Sequence, residues 1–351
     1  MALTTLPLIL IFFHHFCLFG SIHSVSSSTW SILIYLKLYC NIIFRYCASG
    51  CSFKDLHYNF RVGVSTVSKI IKEISCIIWD TLKEEFMKLP DNENKWENIA
   101  NGFDIKANFP HCIGAVDGKH IRVVKPNQSG SMYFNYKGYF SFVLLAVVDA
   151  EYRFIYISVG SYGKECDSSI FKETTFWKKL NDGNLNIPKP RPPHETIEKD
   201  MPYVLVGDEA FPLTTNLMRP FGGNHLDDTK RIFNLRLCRA RRFVECAFGI
   251  LANKWRILHR PLDVHPDTAI HIVKACAVLH NYLRERDGLN FEDIQLALSR
   301  DVSDYYFCSH LKFYPKGLLF HELMELVLRV LFLSPFSHNK QKQRARNQHD
   351  E

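Results

Sequence analysis

The amino-acid order predicts a mixed α/β domain preceded by a short all-α segment. Two β-rich runs, 139–148 and 153–159, flank the turn residues Asp149-Ala150-Glu151-Tyr152 and read as a hairpin. Two further apolar runs, 112–116 and 203–206, each lead into an acid and a chain reversal, at Asp117-Gly118 and at Gly207-Asp208-Glu209. Upstream, residues 52–83 carry apolar side chains at helical spacing and no strand alternation.

Each segment has its own justification. Residues 1–45 are apolar and unassigned. The run 6–19 is followed by Gly20, Ser21 and Ser24, in the outline of a signal peptide. No Lys or Arg precedes it, and His14 and His15 interrupt it. It also falls short of the ~20 residues that span a bilayer. A second apolar stretch, 30–44, is broken by Lys37 and Asn41, so membrane association is not expected. Residues 46–88 read as a helix-turn-helix domain. Phe53, Leu56 and Phe60 share one helical face, Gly63 cuts the chain, and Ser65 or Thr66 caps a second helix. That helix is apolar along Val67, Ile70, Ile71, Ile74, Ile77 and Ile78, with Ser68, Lys69, Lys72 and Glu73 on the other side. The outline fits a DNA-contacting pair and an ordinary αα-hairpin equally well.

Residues 89–110 are polar and turn-rich, and read as a linker with a short helix at 95–101. The α/β domain occupies 111–287. Within it Asp167-Ser168 caps a helix to about residue 180, a loop carries Pro188, Pro190, Pro192 and Pro193, and helices follow at 235–251 and 266–287. Residues 288–351 form an unassigned extension. Its stretch 317–333 is interrupted by Glu322, Glu325 and Arg329 and suits an amphipathic helix, and the tail from 336 is polar.

Composition narrows the function classes. A chain of 351 residues, 47% hydrophobic and 23% charged, is a globular protein with a sizeable core. A disulfide miniprotein, a collagen-like repeat and a wholly disordered chain are excluded. The net charge of +7 is concentrated: residues 229–260 hold nine basic side chains and one acid, Glu245. The remainder is nearly neutral, with 34 basic against 35 acidic residues. One basic segment on a neutral body points to a polyanionic partner. The 11 cysteines include no CxxC pair, which suits buried thiols better than a zinc site.

The carboxylates carry the chemistry. Asp117 and Asp208 both follow short apolar strands, and acids at the ends of neighbouring strands can converge at one sheet edge. Phosphodiester hydrolysis needs such convergence, because hard oxygen donors hold two divalent cations ~3.5–4 Å apart. Glu245 is either half of a structural ion pair or a third ligand whose arginine neighbours grip phosphates. With two strand-end acids already present, the ligand reading is preferred. Asp149 is read as a turn residue and Asp167 as a helix cap. Glu209 is set aside because adjacent strand-end side chains point apart. His120 is read as a satisfied histidine rather than a ligand.

Three blocks then resemble the signatures of the PIF/Harbinger transposases and the nucleases derived from them. They are Gly114-Ala115-Val116-Asp117-Gly118-Lys119-His120-Ile121, Val206-Gly207-Asp208-Glu209-Ala210-Phe211-Pro212-Leu213 and Arg239-Ala240-Arg241-Arg242-Phe243-Val244-Glu245. Segments at 136–141, 160–168, 248–256 and Leu279-His280-Asn281-Tyr282-Leu283 extend the likeness. The resemblance implies an RNase H-like catalytic domain in which Asp117, Asp208 and Glu245 hold two Mg²⁺ or Mn²⁺ ions. It implies that the hairpin supplies the second and third strands, the fourth presents Asp208 and a following helix presents Glu245. It favours DNA contact by Ser65, Thr66, Ser68, Lys69 and Lys72, and phosphate contact by Arg239, Arg241, Arg242, Lys254 and Arg256. It further implies nuclear residence and a separate Myb-like DNA-binding partner, and a homo-oligomer is one assembly open to the chain. Cys246 departs from the family's usual Asn beside the glutamate, and Cys166 from a usual polar residue.

The expected function is therefore a metal-dependent DNA endonuclease of transposase origin. Its rival is a catalytically inactive, transposon-derived DNA-binding or scaffolding protein, suggested by Cys246 and by the two termini that match nothing in the family.

Overall fold

The computed structural model describes residues 27–194, 198–223 and 225–287. The apolar run at 6–19 and the amphipathic stretch at 317–333 lie outside the described residues. Among the described residues the chain divides into two units, one built from 27–46 and 51–82, the other from 47–50 and 83–287.

The first unit is helical: α1 (Ser27–Ser49), α2 (Phe53–Phe60) and most of α3 (Val64–Phe86). Ser52 starts α2 with a reciprocal cap. Its hydroxyl accepts the Asp55 N–H at 3.1 Å while the Asp55 carboxylate accepts the Ser52 N–H at 2.8 Å. Arg61, in a left-handed conformation at φ +53°, reverses the chain. The second helix begins one turn position earlier than the sequence predicts. Gly63 precedes it and accepts the Val67 N–H, so Ser65 and Thr66 sit exposed in the first turn instead of capping it. The predicted faces otherwise hold: Val67, Ile70, Ile71, Ile74 and Ile78 are buried, while Ser68, Lys69 and Lys72 are exposed.

The second unit is built on a five-stranded sheet of order β3-β2-β1-β4-β5. β1 (Cys112–Arg122), β2 (Ser141–Val148) and β3 (Phe154–Tyr162) form an antiparallel meander, and β4 (Val204–Val206) and β5 (Leu217–Met218) run parallel to β1. All eight residues of β2 are buried, as expected of a central strand covered on both faces. One layer of the core gathers Ile113, Val143, Leu145, Val147 and Leu205 with Ile170, Phe171 and Phe176. The last three come from α5 (Asp167–Glu173) and α6 (Thr175–Asn181). α7 (Asp228–Lys254) packs on β1 and β2, and α8 (Pro266–Asp287) packs on β3.

Three predicted elements differ. The supposed linker contains a full helix, α4 (Glu93–Ala107), capped by Asn92 and packed on β1. Its buried residues Trp96, Ala100, Phe103 and Ala107 form one stripe among polar neighbours, and the Trp96 indole donates to Leu185 O at 2.7 Å. The first strand does not stop at Asp117-Gly118 but continues to Arg122, because β2 pairs with it from Ala115 through Arg122. The single helix expected after Asp167 is two, broken at Thr174, whose hydroxyl caps the second.

The segment Leu279-His280-Asn281 proves to be a clamp on β3. His280 contacts Tyr152 O through Nε2 at 2.8 Å. Asn281 accepts the Phe154 N–H and donates to Phe154 O, both at 2.8 Å, and also donates to Phe86 O at 2.7 Å. Among the described residues, no helix is long and apolar enough to cross a membrane.

Candidate active site

Strand register brings the first two acids together. Ala115 of β1 is the partner of Val206 of β4 in parallel pairing. Asp117 and Asp208 each lie two residues further on, so they advance side by side past the end of β4. Asp117 stays fixed on its other side by pairing with Ala146 of β2. Asp208 is held by the turn it opens: the Ala210 N–H donates to its Oδ1 at 2.9 Å, and the Phe211 N–H to its carbonyl at 3.2 Å. A side chain at Gly207 would lie 2.9 Å from the Phe211 ring, so this turn requires glycine.

A third carboxylate joins them that the sequence reading assigned elsewhere. Asp167 is the first residue of α5, but the cap position belongs to Cys166, which makes no side-chain capping bond. The Asp167 carboxylate instead lies against Gly118, where a Cβ would come within 2.2 Å of Oδ1 and 2.3 Å of Cγ. Only a glycine after Asp117 leaves room for it. Asp at a helix start reads as a cap by default, and no local signal distinguishes the two roles. The pairing with Gly118 exists only in the folded chain.

The electrostatics report the same convergence. Burial pushes Asp117 up to about 7. The Gly118 N–H and the Arg241 charge hold it down, and the charges of Asp167 and Asp208 push it further up. Burial and then the Asp208 charge raise Asp167 to about 6, with Lys137 opposing. Carboxylates that raise one another in this way are short of positive charge.

Glu245 lies on α7, half-exposed, and its Oε1 accepts from Arg241 at 3.1 Å. The Arg241 guanidinium is thus the link between Glu245 and the cluster, since its charge also acts on Asp117. Of the predicted phosphate contacts, Arg239, Arg242 and Arg256 are exposed, and Arg241 and Lys254 are half-buried. Cys246 is buried beside Glu245. Among the described residues, no three His, Cys, Asp or Glu side chains are arranged so that they could hold a metal ion by themselves.

The acids set aside behave as expected. Asp149 is buried and accepts the Glu151 and Arg153 N–H groups at 2.8 Å, with the Arg153 side chain on its other oxygen. Glu209 is exposed. His120 meets Ser141 Oγ through Nδ1 at 3.0 Å.

Comparison with known proteins agrees with this outline. Residues 116–281 match the family described as DDE superfamily endonuclease. The Arabidopsis thaliana protein named "Protein ALP1-like" is 26% identical over 265 residues, covering 75% of this chain and 64% of that protein. The human protein named "Putative nuclease HARBI1" is 26% identical over 202 residues, covering 56% of this chain and 53% of that protein. The chain thus spans between half and two thirds of these relatives' length. No solved structure matches it.

Proposed function

Given that residues 116–281 match the family described as DDE superfamily endonuclease, we propose that this chain is a transposase-derived nuclease with an RNase H-like core that hydrolyses DNA phosphodiester bonds. The observation that carries this reading is the pairing of Ala115 with Val206, two residues before Asp117 and Asp208, with Asp167 seated on Gly118 and the charges of Asp167 and Asp208 acting on Asp117.

The donor set suits Mg²⁺ or Mn²⁺. It offers carboxylate oxygen alone, the ligand type hard cations take. Mg²⁺ needs only one or two protein carboxylates because it keeps waters and takes substrate phosphate oxygens, so a closed protein cage is not required. Asp117, Asp208 and Asp167 would hold the cations. Glu245 would join on releasing Arg241, with which it forms an ion pair at 3.1 Å. When bound, divalent cations supply Lewis acidity toward the phosphate and make water nucleophilic near neutral pH.

The chain's own residues do the rest. Asp117, fixed in mid-strand, and Asp208, fixed by its turn, present preorganised negative charge. Arg239 and Arg242, exposed on the helix that carries Glu245, grip backbone phosphates. In the first unit, Ser65, Thr66, Ser68, Lys69 and Lys72 form the exposed side of α3, and under this reading they contact duplex DNA.

The test is nicking of supercoiled plasmid by the full chain in Mg²⁺ or Mn²⁺. We expect activity that is lost on chelation and in Asp208→Ala. Equal nicking by wild type and variant would overturn the mechanism. The pairing of Glu245 with Arg241 favours one rival, a DNA-binding protein without catalysis. It would show salt-sensitive, metal-independent DNA binding that survives Asp208→Ala, with no nicking by either protein.

A further inference from the structure

Between β1 and β2 the chain makes an excursion, residues 123–140, that the metal site does not use. It gathers exposed apolar side chains: Tyr136 is 84% exposed, with Val124, Met132 and Phe134 also exposed. It is nevertheless rigidly built. Buried Asn135 accepts the Lys137 and Tyr139 N–H groups at 3.0 and 3.3 Å and donates to Ser141 Oγ at 2.8 Å. Its backbone N–H donates to Tyr139 O at 2.9 Å, and Gly138 completes the turn at φ +81°. Phe134 and Phe140 meet edge to face at 5.2 Å beneath it. An aromatic ring is therefore held outward on a fixed tip.

The charge carried by this stretch of chain has one sign. From Gly118 to Val148 the chain contains Lys119, Arg122, Lys125 and Lys137 and no Asp or Glu. Lys137 lies over the Tyr136 ring, Lys125 over Phe140 and Arg122 over Tyr139, at 5.4, 5.6 and 4.3 Å from the ring centroids. The tip also adjoins the carboxylates. The Tyr136 ring meets the edge of His120, a residue of β1, at 5.6 Å, and the Lys137 charge acts on both His120 and Asp167.

A fixed, exposed ring with Lys137 over it, on an excursion that also carries Lys125, matches the chemistry of an unpaired nucleobase between two phosphates. A base inside a duplex has no free face to offer. We propose that Tyr136 is a stacking platform for an unpaired nucleobase next to the phosphate to be cut, with Lys125 and Lys137 on the flanking phosphates. This inference rests on the reading of the chain as a DNA-cleaving protein. It adds that the preferred substrate has an unpaired nucleotide at the site.

The test is fluorescence anisotropy of the full chain with a labelled single-stranded oligonucleotide and with a blunt duplex, across a salt series. Tyr136→Ala is expected to weaken single-strand binding by about tenfold while leaving the salt slope unchanged. Tyr136→Phe, which keeps the ring, is expected to bind like wild type. Lys137→Gln is expected to lower the slope by about 0.7, one phosphate contact. Single-strand affinity unchanged in Tyr136→Ala would overturn the platform and leave the nuclease reading standing, as would an equal loss on the duplex. Failure of the wild type to bind either DNA would overturn both.

Discussion

Asp117→Asn should stabilise the metal-free protein at neutral pH, although it removes the acid at the centre of the proposed site. Folding carries the Asp117 carboxyl from its ordinary 3.8 up to about 7, chiefly by burial and then by the charges of Asp167 and Asp208. Between those values the folded state binds more protons than the unfolded state. The contribution to stability is therefore full below about pH 4 and is lost as pH rises through 7. At about 1.4 kcal/mol per pH unit, the loss reaches about 3–4 kcal/mol by neutrality. The amide cannot ionise and keeps the Gly118 N–H as a donor, so it escapes the loss. Urea unfolding of both proteins from about pH 5 to about pH 8 would measure it. Comparing the two cancels the histidines that titrate in the same range. We expect the variant to gain on wild type steadily with pH, and millimolar Mn²⁺ to close the gap by stabilising only wild type. Stability curves that run parallel across this range would refute the reasoning, because Asp117 would then carry no buried-charge penalty.

Gly118→Ala should impair the site without removing any carboxylate, because its Cβ would fall 2.2 Å from Asp167 Oδ1. Calorimetric titration with Mn²⁺ should show about a tenfold loss of affinity; unchanged binding would mean Asp167 takes no part. In the same assay Asp167→Asn should cost more affinity than Glu245→Gln, since Glu245 starts paired with Arg241. The reverse ranking would place the third ligand on α7. Asn281→Ala should destabilise by about 3 kcal/mol in urea, because it strands both polar groups of Phe154. A loss below about 1 kcal/mol would show that the clamp on β3 is dispensable.

Much of this site was legible in the chain before folding was considered. Asp117 and Asp208 announce themselves by following apolar strands, and the β1–β4 register ends two residues before each of them. The hairpin was legible because Asp149 is a turn residue, and its oxygens do close that turn on Glu151 and Arg153. What escaped depends on partners distant in sequence. The helix α4 hides because one buried stripe, Trp96 to Ala107, runs through polar and turn-forming residues, and its anchor is a carbonyl at Leu185. β1 outruns its apolar stretch because β2 supplies hydrogen bonds past Asp117, whatever the side chains prefer. Asp167 was misread because local grammar names a helix-start acid a cap, whereas the fold seats its carboxylate on Gly118. Glu245, a lone acid in a basic helix, is paired with Arg241 in the folded chain, a partner its spacing of four residues allows.

The position of the cluster follows from how β1 is paired. β2 accompanies β1 to its end, but β4 pairs with it only as far as Ala115. Just beyond, one side of β1 is open, and a strand-end acid from β4 and a helix-start acid from α5 both reach the same opening. Arg241 and Lys137 are the cations whose charges act on Asp117 and Asp167. Even with them, burial and mutual repulsion leave both carboxyls well above their ordinary values. A fold that gathers acids at such an opening with too little counter-charge is least stable without added cations at neutral pH. Under the proposed chemistry that deficit would give a divalent cation its binding energy, and it would tie the stability of this unit to the occupancy that chemistry needs.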